Sequence, residues 1–327
     1  MGTAAWVVEE PRGTFRKIEL AHTVLRANHV RVRIAAAGVN PLDTKIRAGK
    51  AEHAKQPLPA VLGLDMAGIV EKIGTGVTAF KPGDEVYGMV GGVGGLQGTL
   101  AQAVDADTDL LAHKPTNLSM REAAALPLVV ITSWEALMDQ AKVHEGQSVL
   151  IHAGTGGVGH VAVQIARAHG AKVFATVSEG KRAIVEGFGA TAIDYRAASV
   201  AEYVKAHTGG EGFDVVFDTV GGTTLDASFL AVKPYTGRVV SALGWGTHSL
   251  APLSFRSATY SGVFTLMPLL AGGGRAHHGW ILAQAAALAE AGKLKPLLSH
   301  EQFSPTNIDE AYARVESGSL GKVVIEM

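Results

Sequence analysis

The chain has 327 residues, 47% hydrophobic and 18% charged, with 29 Lys and Arg against 30 Asp and Glu for a formal net charge of −1. That length suits about two domains with real cores, and a balanced charge without basic runs or acidic tails argues against nucleic acid or anionic membrane as partners. Cysteine is absent, which removes disulfides, thiolate metal ligands and a cysteine nucleophile.

The N-terminal "MGTAAWVVEEPRGTF" has no basic region followed by an apolar stretch, so no signal peptide is expected. The longest apolar runs, near Leu126–Ile131 and Val263–Ala271, fall short of the ~20 residues a membrane helix needs. A soluble, cytoplasmic protein is the expectation. The first third predicts strands and turns: "HVRVRIAAAGV", "AGIVEKIG" and "DEVYGMV" are β-like, the last two separated by the turn signals of "GTGVTAFKPGD". Helical pattern is scarce there, and a small, mostly antiparallel barrel or sandwich follows. "GGVGGLQG" after Met89 reads as a flexible loop.

From Ser119 the pattern changes. "SMREAAALPLVVITSWEAL" opens with a Ser-x-x-Glu capping box and predicts one helix. Strands "SVLIH", "KVFATV", "AIDY", "DVVFDTV" and "GRVVSAL" then alternate with helices "VGHVAVQIARAHG", "GKRAIVEGFG" and "SVAEYVKAHTG". This repetition predicts a doubly wound parallel sheet of the α/β class. The tail adds the long helix "HHGWILAQAAALAEAGKL", the helix "IDEAYARVESG" and a last strand "GKVVIEM", expected to pack back on the first domain.

Gly154, Gly156 and Gly159 fit G-x-G-x-x-G directly after an apolar strand and at the start of a helix, the context that makes a dinucleotide fingerprint. Gly154 is expected to allow the tight turn, Gly156 and Gly157 to let the backbone approach a pyrophosphate, and Gly159 to let helix and strand pack closely. An NAD site carries an acidic residue at the end of the second strand. Here that strand ends at Val177 and Ser178 follows, with Glu179 one step beyond and Lys181 and Arg182 after it. Ser178, Lys181 and Tyr195 together predict a cradle for a 2′-phosphate, hence NADPH.

The chain resembles the quinone oxidoreductase (zeta-crystallin-like) group of zinc-independent medium-chain dehydrogenase/reductases. The segments that carry the resemblance are "AAGVNPLDTKIRAG" (36–49), "VLGLDMAGIVEKIGTGVTAFKPGDEVYG" (61–88), "AAALPLVVITSWEAL" (123–137), "HAGTGGVG", "FDVVFDTVGG", "AGKLKPLL" and "GKVVIEM", in order over nearly the whole length. It implies a GroES-like substrate domain, residues 1–123 with 267–327, and an inserted Rossmann domain, residues 124–266. It implies that Asn40 and Asp43 lie near the nicotinamide, that Thr132 contacts the nicotinamide half, and that Val158 with Gly157 meets the pyrophosphate. Leu243 and Phe264 would line the nicotinamide pocket, and Ser178, Lys181 and Tyr195 fall at or near the 2′-phosphate positions. Homodimers through the edge of the cofactor sheet are implied too, with "SGVFTLMPLLAG" as edge strand and neighbour.

Zinc-dependent relatives need a cysteine in the first segment and a His-Glu pair in the second. This chain has Asn40 in one and Leu64-Asp65 in the other, and no metal is expected. His152 and His160 flank the glycine loop in structural roles, and adjacent His277 and His278 point apart on a helix. The group's tyrosine after R-x-G is missing; Lys50, Ala51 and Glu52 stand there. Without a metal the least demanding chemistry is hydride delivery to a conjugated acceptor, a quinone or an α,β-unsaturated carbonyl. Asn40 is the candidate polar contact to the substrate oxygen, against the alternative that it ties down its own turn before Pro41. An alkenal or enoyl-thioester reductase, and a non-catalytic NADPH-binding structural or regulatory protein, remain alternatives.

Overall fold

A computed structural model describes residues 2–21 and 23–327. Two compact units emerge, one built from the chain up to Leu128 together with Leu266–Met327, the other from Val129–Thr265.

The first unit begins with β1 (Gly2–Val8), β2 (Arg16–Ala21) and β3 (His29–Val39), then the short helix α1 (Pro41–Arg47). β4 (Ala60–Val61), β5 (Asp65–Ile73), β6 (Glu85–Met89), β7 (Ala103–Asp107) and β8 (Leu111–His113) follow, then α2 (Met120–Ala124). The expected antiparallel strands are present: β3 pairs with β5 and β7, and β5 with β6. The segment "GGVGGLQG" is no free loop. Gly94 N–H donates to the Ala54 carbonyl (2.9 Å) and Gly95 N–H to Gln56 Oε1 (2.8 Å), and Val90 to Val93 are buried. Gly92, Gly94 and Gly95 all have positive φ, and a Cβ added at Gly92 would lie 2.5 Å from the Gly63 carbonyl oxygen.

The expected single helix after Ser119 is two. The capping box forms as read, Ser119 accepting from the Glu122 N–H while Glu122 accepts from Ser119. Pro127 then starts a second helix, α3 (Pro127–Trp134), because proline lacks the N–H that a continuing helix needs yet suits a first turn. A π-type turn over Glu135–Gln140 closes it.

The second unit carries β9 (Ser148–Ile151), α4 (Gly157–Ala168), β10 (Lys172–Val177), α5 (Arg182–Gly187), β11 (Thr191–Asp194), α6 (Val200–Thr208), β12 (Val215–Asp218), α7 (Thr223–Ala231), β13 (Arg238–Ser241), α8 (Ala251–Ser254) and β14 (Thr259–Gly262). The strands form one parallel sheet in the order β11-β10-β9-β12-β13-β14, the doubly wound arrangement with its switch beside the first strand. Parallel strands are covered on both faces, which is why "VLI" and "VVFD" are buried throughout. Leu150, Val216, Phe213, Leu225, Phe229 and Val239 belong to one core cluster. The edge strand is Thr259–Gly262, earlier than "SGVFTLMPLLAG" suggested, since Pro268 favours a helix start over a strand.

The chain then returns to the first unit with α9 (Met267–Ala271), α10 (Arg275–Glu290), α11 (Ile308–Glu316) and β15 (Val323–Glu326), which pairs antiparallel with β3. α10 lies hard against β8: a Cβ added at Gly279 would stand 2.7 Å from the Asp109 carbonyl oxygen and 2.9 Å from that of Leu111. Buried Tyr87 of β6 also donates to the Leu282 carbonyl (2.6 Å). On α10, His278 is buried while His277 stacks on Trp280, as adjacent helical positions require. Among the described residues no helix is long and apolar enough to cross a membrane. Replacing Gly279 with Val should lower stability by roughly 1–3 kcal/mol through overpacking; an unchanged thermal midpoint would contradict this close approach.

Candidate active site

In the second unit the strand–helix turn after β9 is shaped by contact distances. The left-handed φ falls on Ala153 (53°), not on Gly154. Gly154 is required instead because a Cβ there would sit 2.6 Å from Ala175 Cβ on β10. Gly156 is the extended N-cap of α4, and a Cβ at Gly159 would lie 2.1 Å from the Ala153 carbonyl oxygen. Gly157, Val158 and Gly159 supply the first N–H groups of α4, which have no partner within the helix and suit an anion. The turn is also braced from behind by Ser133 Oγ, which donates to the Val158 carbonyl (3.2 Å).

Beside this turn lies a cavity of about 480 Å³ at the C-terminal ends of the parallel strands. His152, Ala153, Thr176, Tyr195, Tyr203 and Thr224 are among its lining residues. His152 is buried, and burial pushes its imidazole down to about 4 despite the Asp218 carboxylate nearby, so the ring is neutral. Thr176 Oγ1 accepts from the Ala153 N–H (3.1 Å) and meets His152 Nδ1 at 3.1 Å. The simplest assignment has Thr176 donating to Nδ1, which leaves a proton on Nε2. That Nε2 is buried without a hydrogen-bond partner among the described residues. An orphaned donor on a residue that lines the cavity, and a turn whose spaces a Cβ would fill, fit a dinucleotide. His160 has the structural role expected, its Nδ1 2.9 Å from the Gly156 carbonyl oxygen.

Ser178 and Tyr195 directly follow the paired positions Val177 and Asp194 of neighbouring strands, so both stand at the same edge of the sheet. Tyr195 is half exposed and lines the cavity; Ser178 precedes and Lys181 ends a short 3-10 turn, Glu179–Lys181, and neither is among the lining residues. The two cations after Ser178 differ: Arg182 pairs with Glu186 (3.3 Å), while Lys181 has no side-chain partner among the described residues. Sequence reasoning passed over Arg196, whose guanidinium lies 5.6 Å from the Tyr195 ring centroid; its adjacency to Tyr195 was the available signal. Thr132 is buried with Oγ1 3.0 Å from Thr265 Oγ1, which in turn donates to Glu135 (3.2 Å). Leu243 and Phe264 are partly exposed, and Phe264 packs edge-on to Trp245.

In the first unit Asn40 and Asp43 belong to a buried charge cluster. Asn40 caps α1, and its backbone N–H donates to Asp43 Oδ2 (2.8 Å). Its side-chain Nδ2 donates to Asp65 Oδ2 (2.9 Å), and its Oδ1 accepts from the Lys322 ammonium. Asp65 Oδ1 accepts from the Leu128 N–H (2.9 Å) at the start of α3, and Lys322 Nζ stands 3.9 Å from Asp65 Oδ2. Asn40 is 1% exposed and Asp43 fully buried. Asn40's oxygen and one arm of its amide are therefore spent within the protein, which favours a positioning role over contact with a substrate oxygen. Burial pushes Asp43 up to about 7 and Asp65 up to about 6, and lowers Lys322. Asp43 Oδ1 and the buried Tyr312 hydroxyl lack hydrogen-bond partners among the described residues. The spacing of Asp65 and Lys322 along the chain gave no sign that they would meet.

Two family models match, "Zinc-binding dehydrogenase" over residues 157–270 and "Alcohol dehydrogenase GroES-like domain" over residues 26–116. The 2-methylene-furan-3-one reductase of Solanum lycopersicum is 36% identical over 92% of this chain and 72% of its own. The chain belongs to the medium-chain dehydrogenase/reductases. Among solved members, an alcohol dehydrogenase superfamily protein from Novosphingobium aromaticivorans is 53% identical with TM-score 0.98, covering 99% of both chains. The quinone oxidoreductase from Coxiella burnetii is 28% identical with TM-score 0.82, covering 100% of both. The metal in the first model's description does not fit these residues. The chain lacks cysteine, and the segments that carry the family's ligands instead hold Asn40, Leu64 and Asp65, with the Lys322 ammonium already bound between Asn40 and Asp65.

Replacing Gly159 with Ala should weaken dinucleotide binding at least ~10-fold, since the added methyl must displace the turn that faces the phosphates; an unchanged Kd in a fluorescence titration would refute the assignment. A second expectation concerns pH. Asp43 and Asp65 titrate at about 7 and about 6 in the fold but near 3.9 when unfolded. The native state therefore binds more protons across that window, and these two groups erode stability as pH rises through it. Asp43→Asn should gain stability relative to wild type from about pH 4 to about pH 7 and level off above. Denaturant melts across that range yielding a constant difference would place the Asp43 titration elsewhere.

Proposed function

We propose that this chain is an NADPH-dependent reductase of α,β-unsaturated carbonyl compounds. The observation that carries the cofactor choice is the sheet edge after β10. It offers Ser178, an unpartnered Lys181 and Tyr195 backed by Arg196, where an NAD site would set a carboxylate at the strand end. The acceptor class is supported by the tomato 2-methylene-furan-3-one reductase, which is more similar to this chain than the Coxiella quinone oxidoreductase is. A quinone is the second reading, supported by the Coxiella oxidoreductase.

In this reading Gly156, Gly157, Val158 and Gly159 hold the pyrophosphate, and the His152 cavity takes the adenosine end. Thr132, Leu243 and Phe264 border the nicotinamide. When bound, the cofactor supplies a hydride to the β-carbon of the substrate. The chain's own contribution is to orient the acceptor, exclude water and stabilise the oxyanion that develops on the carbonyl oxygen. The Asn40–Asp43 segment keeps the active-site backbone in register through its ties to Asp65 and Lys322. A proton from solvent completes the addition at the α-carbon, so no side-chain acid is assigned. A homodimer through the free edge of β14 belongs to the same reading, supported by that strand's place at the end of the sheet.

NADPH oxidation followed by absorbance, with an enone and a quinone in parallel and NADH as control, should show the enone turned over faster and NADPH preferred. Silence with both acceptors while NADPH still binds would favour a non-catalytic binding protein. Lys181→Ala should weaken NADPH binding by one to two orders of magnitude, the ~1.5–3 kcal/mol of a charge-assisted hydrogen bond, and leave NADH unaffected. Equal weakening of both cofactors would remove Lys181 from the 2′-phosphate site.

A further inference from the structure

The first unit holds a second cavity, of about 450 Å³, lined by Arg12, Lys45, Arg47 and Lys50 with Glu316 as its only carboxylate. Its volume lies in the range of small-molecule sites. In a chain whose net charge is −1, four cations around one cavity are a local concentration, not a reflection of composition.

Ordinary structural duties do not account for three of them. Cations near a helix C-terminus often serve its free carbonyls, and Lys45 and Arg47 lie in the last turn of α1. Those carbonyls are already satisfied by backbone donors: Thr44 by Ala48 (3.0 Å), Lys45 by Lys50 (2.8 Å), Ile46 by Gly49 (2.9 Å) and Arg47 by Arg12 (2.8 Å). Arg47 is the fixed member. Its Nε donates to the Gly13 carbonyl (3.0 Å), its Nη2 pairs with Asp309, and its guanidinium lies 4.9 Å from the Phe15 ring. Arg12, Lys45 and Lys50 have no side-chain partner among the described residues.

The backbone is bent to bring them together. Arg12 holds a left-handed φ of 64°, unusual for a long side chain and the kind of local strain that gathers at functional sites. Gly49 has φ +69°, and a Cβ there would lie 3.3 Å from the Pro11 ring, so the turn carrying Lys50 lies close against the turn carrying Arg12. Like charges converging on one cavity repel, and an anion bound between them would relieve that repulsion.

We propose that this cavity binds a multiply charged oxyanion of the phosphate class, a polyphosphate or the phosphate end of a larger molecule. The site lies wholly within the first unit, shares no residue with the glycine turn, and stands independently of the acceptor proposed above. Three exposed cations around an anchored arginine suit a tetrahedral or bridged phosphate, where Arg47 orients and the others neutralise.

The test is calorimetric titration of the full-length protein with sodium pyrophosphate at low ionic strength, with NADPH saturating so that the glycine turn is filled. One equivalent should bind to the wild type, at least ~10-fold more tightly than to an Arg12→Ala/Lys45→Ala/Lys50→Ala variant. Coenzyme A is run alongside. Tighter binding than pyrophosphate through the same three residues identifies the phosphate end of a thioester carrier, and equal affinity identifies a free polyphosphate. Absence of binding, or affinity unchanged in the variant, overturns the proposal. Thermal melts without ligand supply the second control: relieved of repulsion, the variant should melt no lower than wild type, and a lower midpoint would show that the cations serve the fold.

Discussion

The first unit is organised around a charge that has nowhere else to go. Asp65 is fully buried, and its two oxygens are committed to the Leu128 N–H, the Asn40 amide and the Lys322 ammonium. A buried charge left without its partner costs about 3–5 kcal/mol, so the members of such a group stand or fall together. One carboxylate thereby fixes the start of α3, the cap of α1 and the approach to β15. In zinc-dependent members of the family the same two segments supply ligands to a metal; here an ammonium carried by the chain itself stands between them. A lysine is a point charge with flexible donors and offers no open coordination position, so its contribution is placement of backbone, not activation of a substrate oxygen.

The second unit works by the opposite device. Its dinucleotide turn carries no charged side chain: Gly154 and Gly159 clear space, α4 presents free N–H groups, and the His152 ring beside it is kept neutral by burial. Charged side chains stand at the outer edge, Lys181 shortly after β10 and Arg196, against the Tyr195 ring, shortly after β11. A turn built from backbone and an outer edge built from side chains can vary independently, which suits a fold whose members differ in cofactor and substrate.

Much of this was legible in the sequence, and the reasons are local. Apolar strands followed by amphipathic helices mark the parallel sheet, and strand, glycine turn and helix lie within a dozen or so consecutive residues at Val149–Gly159. The Ser119 box was likewise readable because its two partners are one turn apart. What escaped was either long-range or decided by packing. Pro127 divides a run that periodicity alone made continuous. The left-handed residue of the turn is Ala153, because Gly154 is held to its place by contact with Ala175 on the next strand. Asn40 could be read as a substrate contact or as the cap of its own turn, because Lys322 and Asp65, which hold its amide, lie far away along the chain. No spacing rule links residues that far apart, and a buried lysine near the end of "SLGKVVIEM" reads like any exposed one.

The pairing of β15 with β3 also sets an order on folding. Lys322 is 282 residues from the asparagine it binds, and the whole of the second unit is spelled out between them. A ribosome therefore releases every strand of the parallel sheet before the first unit can close. Until then Asp65 and Asn40 lack their cation and β3 lacks one neighbour, leaving an open strand edge on a nascent chain whose other half is already free to fold. The segment that emerges first is thus the last to be completed.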